Sequence, residues 1–418
     1  MQSEVQRTPA WPEEFRYFDR VDRPEQRALR AAVRALTGIE LAPSRTHAET
    51  FASMYFDADP LAEDFVRDVY LARGHEAGRA MLDEALRVGA ENVPGAPPSL
   101  LALFADLDRD PDWVDRALVE EGARVFRRYG PELFRLAGTV TLEAYSESSV
   151  AKPLALSGAY GGASAKHRFL ETIAFWIAVA EPGGMSRGAK GREAALRVRI
   201  MHVFVRARLR THREWDVARW GVPISQADAL LTLMGGSFVP GLAMRALGHR
   251  PSKRDIEASM HFWRYVGHVM GVRPRWYPAS LEEAAQVLYV GLLRSAGRAG
   301  DDGKMLCRSY ADAFAPRPED PPLTRLRDAL SHRVHLGYTR FFLSSASYRR
   351  NALPAAGPWV LLPLAQFPFV FAAETLRRTV PGLDDVADRV ARARSRRFYA
   401  RHSRGKKAQF DAPARFTR

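Results

Sequence analysis

The spacing of apolar residues constrains this chain most. Over long stretches they recur at intervals of three and four, and the strict alternation of a half-buried strand is almost absent. A chain patterned this way must bury helical stripes against other helices. Its 418 residues, 46% hydrophobic and 26% charged, suffice for a substantial core able to bury a ligand. No Gly/Ser linker or low-complexity tract divides the middle, so the expected architecture is all-α, one large helical domain with terminal helical extensions.

The periodicity predicts helices near 23–37, 59–73, 75–89, 112–128, 131–145, 165–181, 191–212, 225–235, 252–271, 280–298, 322–334 and 384–400. Pro24 and Pro131 stand where a first helical turn tolerates proline, and Gly271 stands where a helix beginning near Ser252 should close. The loop "LSGAYGGASAKHR" (156–168) puts three glycines before a helix, either as a plain connector or as an entry that lets a lid or cofactor approach the backbone. It lacks the residue order of a phosphate-binding loop. From Asn351 to Ala373 no residue is charged. Prolines at 354, 358, 363 and 368 argue against a regular spanning helix, which favours packing against the helical body or lining an apolar site. Lying on a membrane surface beside the basic tail is the second reading, and spanning the third.

A net charge of +14 and a pI near 10.1 would suit nucleic acid or an anionic membrane surface. Most of the excess is arginine scattered through predicted helices, concentrated only in "RARSRRFYARHSRGKK" (392–407). No helix-turn-helix, zinc or RNA-binding signature accompanies it, so nucleic acid is not an expected partner. Cys307 is the single cysteine, which excludes internal disulfides and cysteine-based metal clusters. The first twenty residues hold no apolar export core and no twin-arginine run, so the expected compartment is the cytoplasm.

In "RVRIMHVFVRARLR" (197–210), Arg199, His202 and Arg206 are spaced i, i+3 and i+7 and share one stripe. No second cluster of ligands stands near His202 at recognisable spacing, so a metal there needs most of its coordination from elsewhere. A porphyrin supplies four nitrogens, leaving one axial position for His202 and one open for chemistry. Arg199 and Arg206 would then hold the two propionates; alternatively they pair with acidic residues of neighbouring helices.

The stretch "LRVRIMHVFVR" (196–206), preceded by "HRFLETIAFW" (167–176) and followed by "SMHFWRYVGHVMGV" (259–272), resembles the latex clearing protein and MpaB-type oxygenase family over roughly residues 135–300. That resemblance implies a globin-like core, one b-type haem, and oxidative use of dioxygen on carbon–carbon double bonds of isoprenoid chains. It implies that His202 is the proximal haem and iron ligand and that Arg199 lies one turn before it. The distal pattern of the latex-cleaving branch, Arg-x-x-Lys-Thr, falls on Arg168 to Thr172, with Arg168 and Thr172 matching and Glu171 standing where the lysine would be. Glu171 must then turn away, be neutralised by Lys166 or Arg168, or hold a proton to deliver. That branch also uses an upstream glutamate as base, but an ungapped count lands on Lys152, with Glu143 and Glu147 nearby and none assignable.

His261, Arg264 and His268 form a second i, i+3, i+7 stripe, expected to hold satisfied core or interface histidines rather than a second axial ligand, while Trp263, Tyr265 and Val266 read as core. The expected division is an N-terminal helical extension over 1–130, a haem-binding core over 131–300, and a C-terminal helical region over 301–418. The leading function is a haem b-dependent oxygenase, with catalytic candidates Arg168, Glu171 and Thr172. It would act on an apolar, unsaturated isoprenoid or lipid-like small molecule, with dioxygen opposite His202 and an unidentified reductant. The alternatives are a non-catalytic haem sensor or carrier, and a haem-free helical protein that binds membranes through 351–373 and the basic tail.

Overall fold

The computed structural model describes residues 10–158, 164–405 and 408, and among them every regular element is helical. The start of the chain and part of the glycine-rich 156–168 loop lie outside the described residues.

In chain order the helices are α1 (Pro24–Thr37), α2 (Arg45–Ser53), α3 (Pro60–Phe65, continued as a π-helical turn Val66–Leu71), α4 (His75–Val88) and α5 (Pro98–Asp108). There follow α6 (Arg116–Arg128), α7 (Pro131–Ala144), α8 (Ser148–Ser157), α9 (Ser164–Ala180) and α10 (Lys190–Arg210). Next come α11 (Val217–Trp220), α12 (Gln226–Gly236), α13 (Phe238–Ala243), α14 (Lys253–Val269) and α15 (Leu281–Leu293). The chain closes with α16 (Gly300–Asp312), α17 (Pro322–Phe342), α18 (Ser345–Arg350), α19 (Leu362–Thr379) and α20 (Leu383–Ser403).

The ends obey local chemistry. Pro24 and Pro131 open α1 and α7, where their missing amide hydrogens cost nothing. Asp115 caps α6, and Ser252 with Asp255 forms a reciprocal capping box on α14. The most extensive helix pair is α6 with α14, so a helix placed by sequence in the N-terminal extension packs on the expected core. Gly122 makes that approach feasible, since a Cβ there would stand 2.0 Å from the Ala258 carbonyl oxygen. Trp263, Tyr265 and Val266 project from α14 into the main core. Cys307 is fully buried in a second cluster, and burial pushes its thiol up to about 12, so it packs as a small apolar group.

The apolar segment near the C-terminus differs from the favoured expectation. Pro354 and Pro358 precede α19, Pro363 sits in its first turn, and only Pro368 is interior, so the helix forms after all. Nor is it packed away: Leu361, Leu364, Phe369 and Leu376 are exposed, and Pro363 and Glu374 are its only buried residues. The basic tail is a seam rather than a free cationic patch. Arg392 and Arg396 pair with Glu181, Arg394 with Glu132, and Arg404 with Asp320 and Asp328.

Candidate functional site

Helix α10 carries the stripe that the sequence singled out. Arg199, 1% exposed, reaches α3's cap residue Asp59 through two contacts, Nε–Oδ2 at 2.7 Å and Nη2–Oδ1 at 2.9 Å, and touches Asp106 at 3.5 Å. Burial opposes its charge, but the hydrogen bonds and attraction of Asp59 outweigh that and hold its pKa above the ordinary arginine value. Gly271 passes beside the pair with φ +78°, and a Cβ there would lie 2.1 Å from Asp59 Oδ2. Gln226 ties the surroundings together, donating to the carbonyls of Ala58 and Gly271 and accepting from the Arg273 amide. Arg206 donates to the carbonyls of Pro223 and Ile224 and meets Glu63 at 3.3 Å. Ile224 sits at φ +53°, rare for a branched side chain, and Arg206 helps hold it there.

Of the two readings of Arg199 and Arg206, propionate binding and pairing with acids of neighbouring helices, these contacts match the second. Both guanidinium groups are buried and committed to protein acceptors, so the neighbouring-helix alternative describes them. Asp59 and Glu63, four residues apart in "DPLAED", were the missed sequence signal, since their spacing puts two carboxylates on one face of α3.

His202, between the arginines, behaves differently. Among the described residues its side chain has no hydrogen-bond partner, ion pair or ring contact. It keeps some accessible surface, yet burial, followed by the Arg206 charge, pushes its pKa down to about 4. Partly accessible yet strongly desolvated, the ring sits in a low-dielectric setting on α10. At neutral pH it is an uncharged imidazole with a free lone pair, the form in which histidine ligates a metal.

Helices α9 and α10 pack together, with Gly191 so close to Ala178 that a Cβ would stand 2.4 Å from its carbonyl oxygen. Roughly three helical turns from that contact along each helix stand Arg168 on α9 and His202 on α10. There Arg168 pairs with Glu171 at 2.7 Å, His167 approaches the same carboxylate at 3.5 Å, and Thr172 donates to the Arg168 carbonyl at 3.2 Å. Of the three fates open to Glu171, the structure has neutralisation by Arg168. Lys166 instead lies over the Phe314 ring.

The upstream acids are occupied elsewhere. Glu143 accepts from Ser347 and the Ser344 amide, and Glu147 meets Ser295 and Arg294, while Lys152 bridges Glu214 and Asp302. On α14, His261 accepts from the Asp115 amide at 3.1 Å and is the satisfied histidine expected. His268 departs from that expectation, being buried with an unpartnered Nε2.

No group of three or more His, Cys, Asp or Glu side chains able to hold a metal ion occurs among the described residues. The profile of the family described as ER-bound oxygenase mpaB/B'/Rubber oxygenase, catalytic domain, matches residues 115–400, and the chain belongs to that family. It is 27% identical over 198 residues to the rubber oxygenase of Streptomyces sp. (strain K30), a match spanning 46% of this chain and about half (48%) of the relative. A solved structure of latex clearing protein LCP in the closed state shares the fold, with a TM-score of 0.61 and 21% identity over 86% of this chain and 95% of that one.

Proposed function

We propose that this chain is a haem b-dependent oxygenase of apolar, unsaturated isoprenoid or lipid-like molecules. The observation that carries the reading is His202, a neutral imidazole without a side-chain partner among the described residues, on the stretch that resembles the family's haem-binding helix. With no multidentate protein site among the described residues, one histidine suits a macrocycle that brings its own equatorial donors. When bound, haem supplies a redox-active iron able to activate dioxygen. The chain's own share would be to present the His202 nitrogen from a helix locked at Arg199 and Arg206, and to supply the distal polar groups Arg168, Glu171 and Thr172. Apolar side chains would exclude water from the double bond.

Purified protein loaded with haem should show a Soret band, and His202→Ala should abolish stoichiometric uptake while its far-ultraviolet circular dichroism stays helical. Retention of haem with an unchanged spectrum by that variant would sink the assignment. Carbonyl or oxygenated products formed under air with a reductant separate an enzyme from a carrier.

The exposed face of α19 supports a peripheral lipid contact beside this activity. Gly357–Thr379 is long and apolar enough to cross a membrane and largely unburied. Co-sedimentation with vesicles should be lost on Phe369→Asp; undiminished binding would remove α19 from the contact.

A further inference from the structure

Beside α14 a cleft of about 610 Å³ opens between the end of α5, the segment leading into α6, and residues 272–277. Leu233, Val272 and the rings of Trp113 and Tyr277 give it an apolar wall, and the volume lies within the range of small-molecule sites. Its polar groups are the unusual part. The Arg264 guanidinium lies 4.1 Å from the Trp113 ring centre and 4.7 Å from that of Tyr277. Among the described residues it has no carboxylate or hydrogen-bond acceptor. Rings stabilise its charge without using its N–H edge. Arg109 at the mouth is likewise unpaired among the described residues. The one lining carboxylate among the described residues, Asp106, is taken by Arg273 at 2.8 Å and Arg199 at 3.5 Å.

His268 is the second, independent sign. It is 6% exposed, lines the cleft, stacks on Tyr265 and meets the edge of Trp113, yet its buried Nε2 has no partner among the described residues. A buried polar atom left this way costs free energy unless something else fills its valence.

We propose that this cleft binds a small organic carboxylate with an apolar body. The planar N–H edge of Arg264 matches a carboxylate in two-point contact, Arg109 adds attraction at the entrance, and neutral His268 offers one further donor at depth. The apolar wall takes the hydrocarbon portion, which a bare inorganic anion would leave unused. This inference concerns the Arg264 face of α14 and does not rest on the haem reading.

The test is calorimetric titration of the full chain with decanoate, using decanol and inorganic phosphate as neutral and non-apolar controls. One saturable decanoate site is expected, with both controls at least tenfold weaker. Arg264→Gln, and separately Arg109→Gln, should weaken decanoate binding, the first at least tenfold, with unchanged helical circular dichroism. Binding should persist in His202→Ala, which marks the ligand as not held by His202. The proposal is overturned by absence of saturable decanoate binding, equal affinity for decanol or phosphate, undiminished binding by Arg264→Gln, or loss in His202→Ala.

Discussion

Arg199 and Asp59 join α10 to α3 through a buried two-pronged ion pair, and Gly271 is the backbone element that leaves room for it. Removing one partner strands the other's charge away from water, which costs roughly 3–5 kcal/mol. Arg199→Ala should therefore lose stability of that order in urea unfolding, before any effect on a cofactor is considered. A loss below about 1 kcal/mol would show that Asp59 finds water or another cation, and would reopen Arg199 as a ligand-facing residue.

Gly271 offers a graded test of the same knot. Gly38 and Gly271 have nearly the same positive φ, +75° and +78°, but a Cβ at Gly38 meets nothing within 4 Å. Gly38→Ala should cost only the backbone strain, about 1 kcal/mol. Gly271→Ala adds a clash with Asp59 and Arg199 and should cost at least about 2 kcal/mol more. Equal costs at the two positions would mean that the ion pair shifts freely.

Helices with long, uninterrupted apolar spacing, such as α9, α10 and α14, were legible because their periodicity continues over many turns. α8, α16 and α19 were not: Pro153 and Pro368 sit inside two of them, and α16 begins "GDDG", signals that locally mean breaks and are overridden by packing. Within the site, sequence showed that Arg199, His202 and Arg206 share a stripe, but not what faces it. The answer lies 140 residues away at Asp59. Trp113 against Arg264 is a pairing of the same kind, set by tertiary approach. That His268 Nε2 lacks a partner among the described residues is a fact of three-dimensional packing which no local spacing encodes.

Acid should unfold this protein through its histidines. Burial, the largest cause in each case, pushes His268 to about 4 and His335 and His402 to about 3, and their folded forms are therefore neutral well below the ordinary histidine pKa of about 6.5. His335 is enclosed by Tyr310 and Phe314, His402 by Phe314 and Phe398. The unfolded chain takes up these protons first, so stability is complete above about pH 6.5 and falls as pH drops toward 4 and 3. Each histidine contributes a slope of up to about 1.4 kcal/mol per pH unit. His335→Gln keeps a donor for the Tyr310 carbonyl and should flatten the decline between pH 7 and 5 by about 1–2 kcal/mol. PH-independent urea midpoints over that range would contradict the neutral assignments.

Under the proposed oxygenase function, Glu171 offers a test of substrate class. At the position where the latex-cleaving pattern has lysine, the structure has a carboxylate that Arg168 neutralises at 2.7 Å, so the reversal of charge is cancelled locally. An i, i+3 pair with a partly exposed arginine is worth at most about 1 kcal/mol, and glutamine keeps an acceptor for Arg168. Glu171→Gln should accordingly leave haem content unchanged and turnover within about fivefold, that is about 1 kcal/mol of barrier. Were Glu171 a proton donor, the same substitution would cut turnover by roughly a hundredfold or more while sparing haem content. With no lysine ammonium in the distal pattern, polyisoprene should be a poor substrate and a short unsaturated lipid or terpenoid a better one. Mass spectrometry of carbonyl products from both substrate classes, with wild type and Glu171→Gln in parallel, measures both points. Efficient release of oligo-isoprenoid aldehydes from polymer would refute the substrate argument, and a hundredfold loss in the variant would refute the neutralised-pair argument.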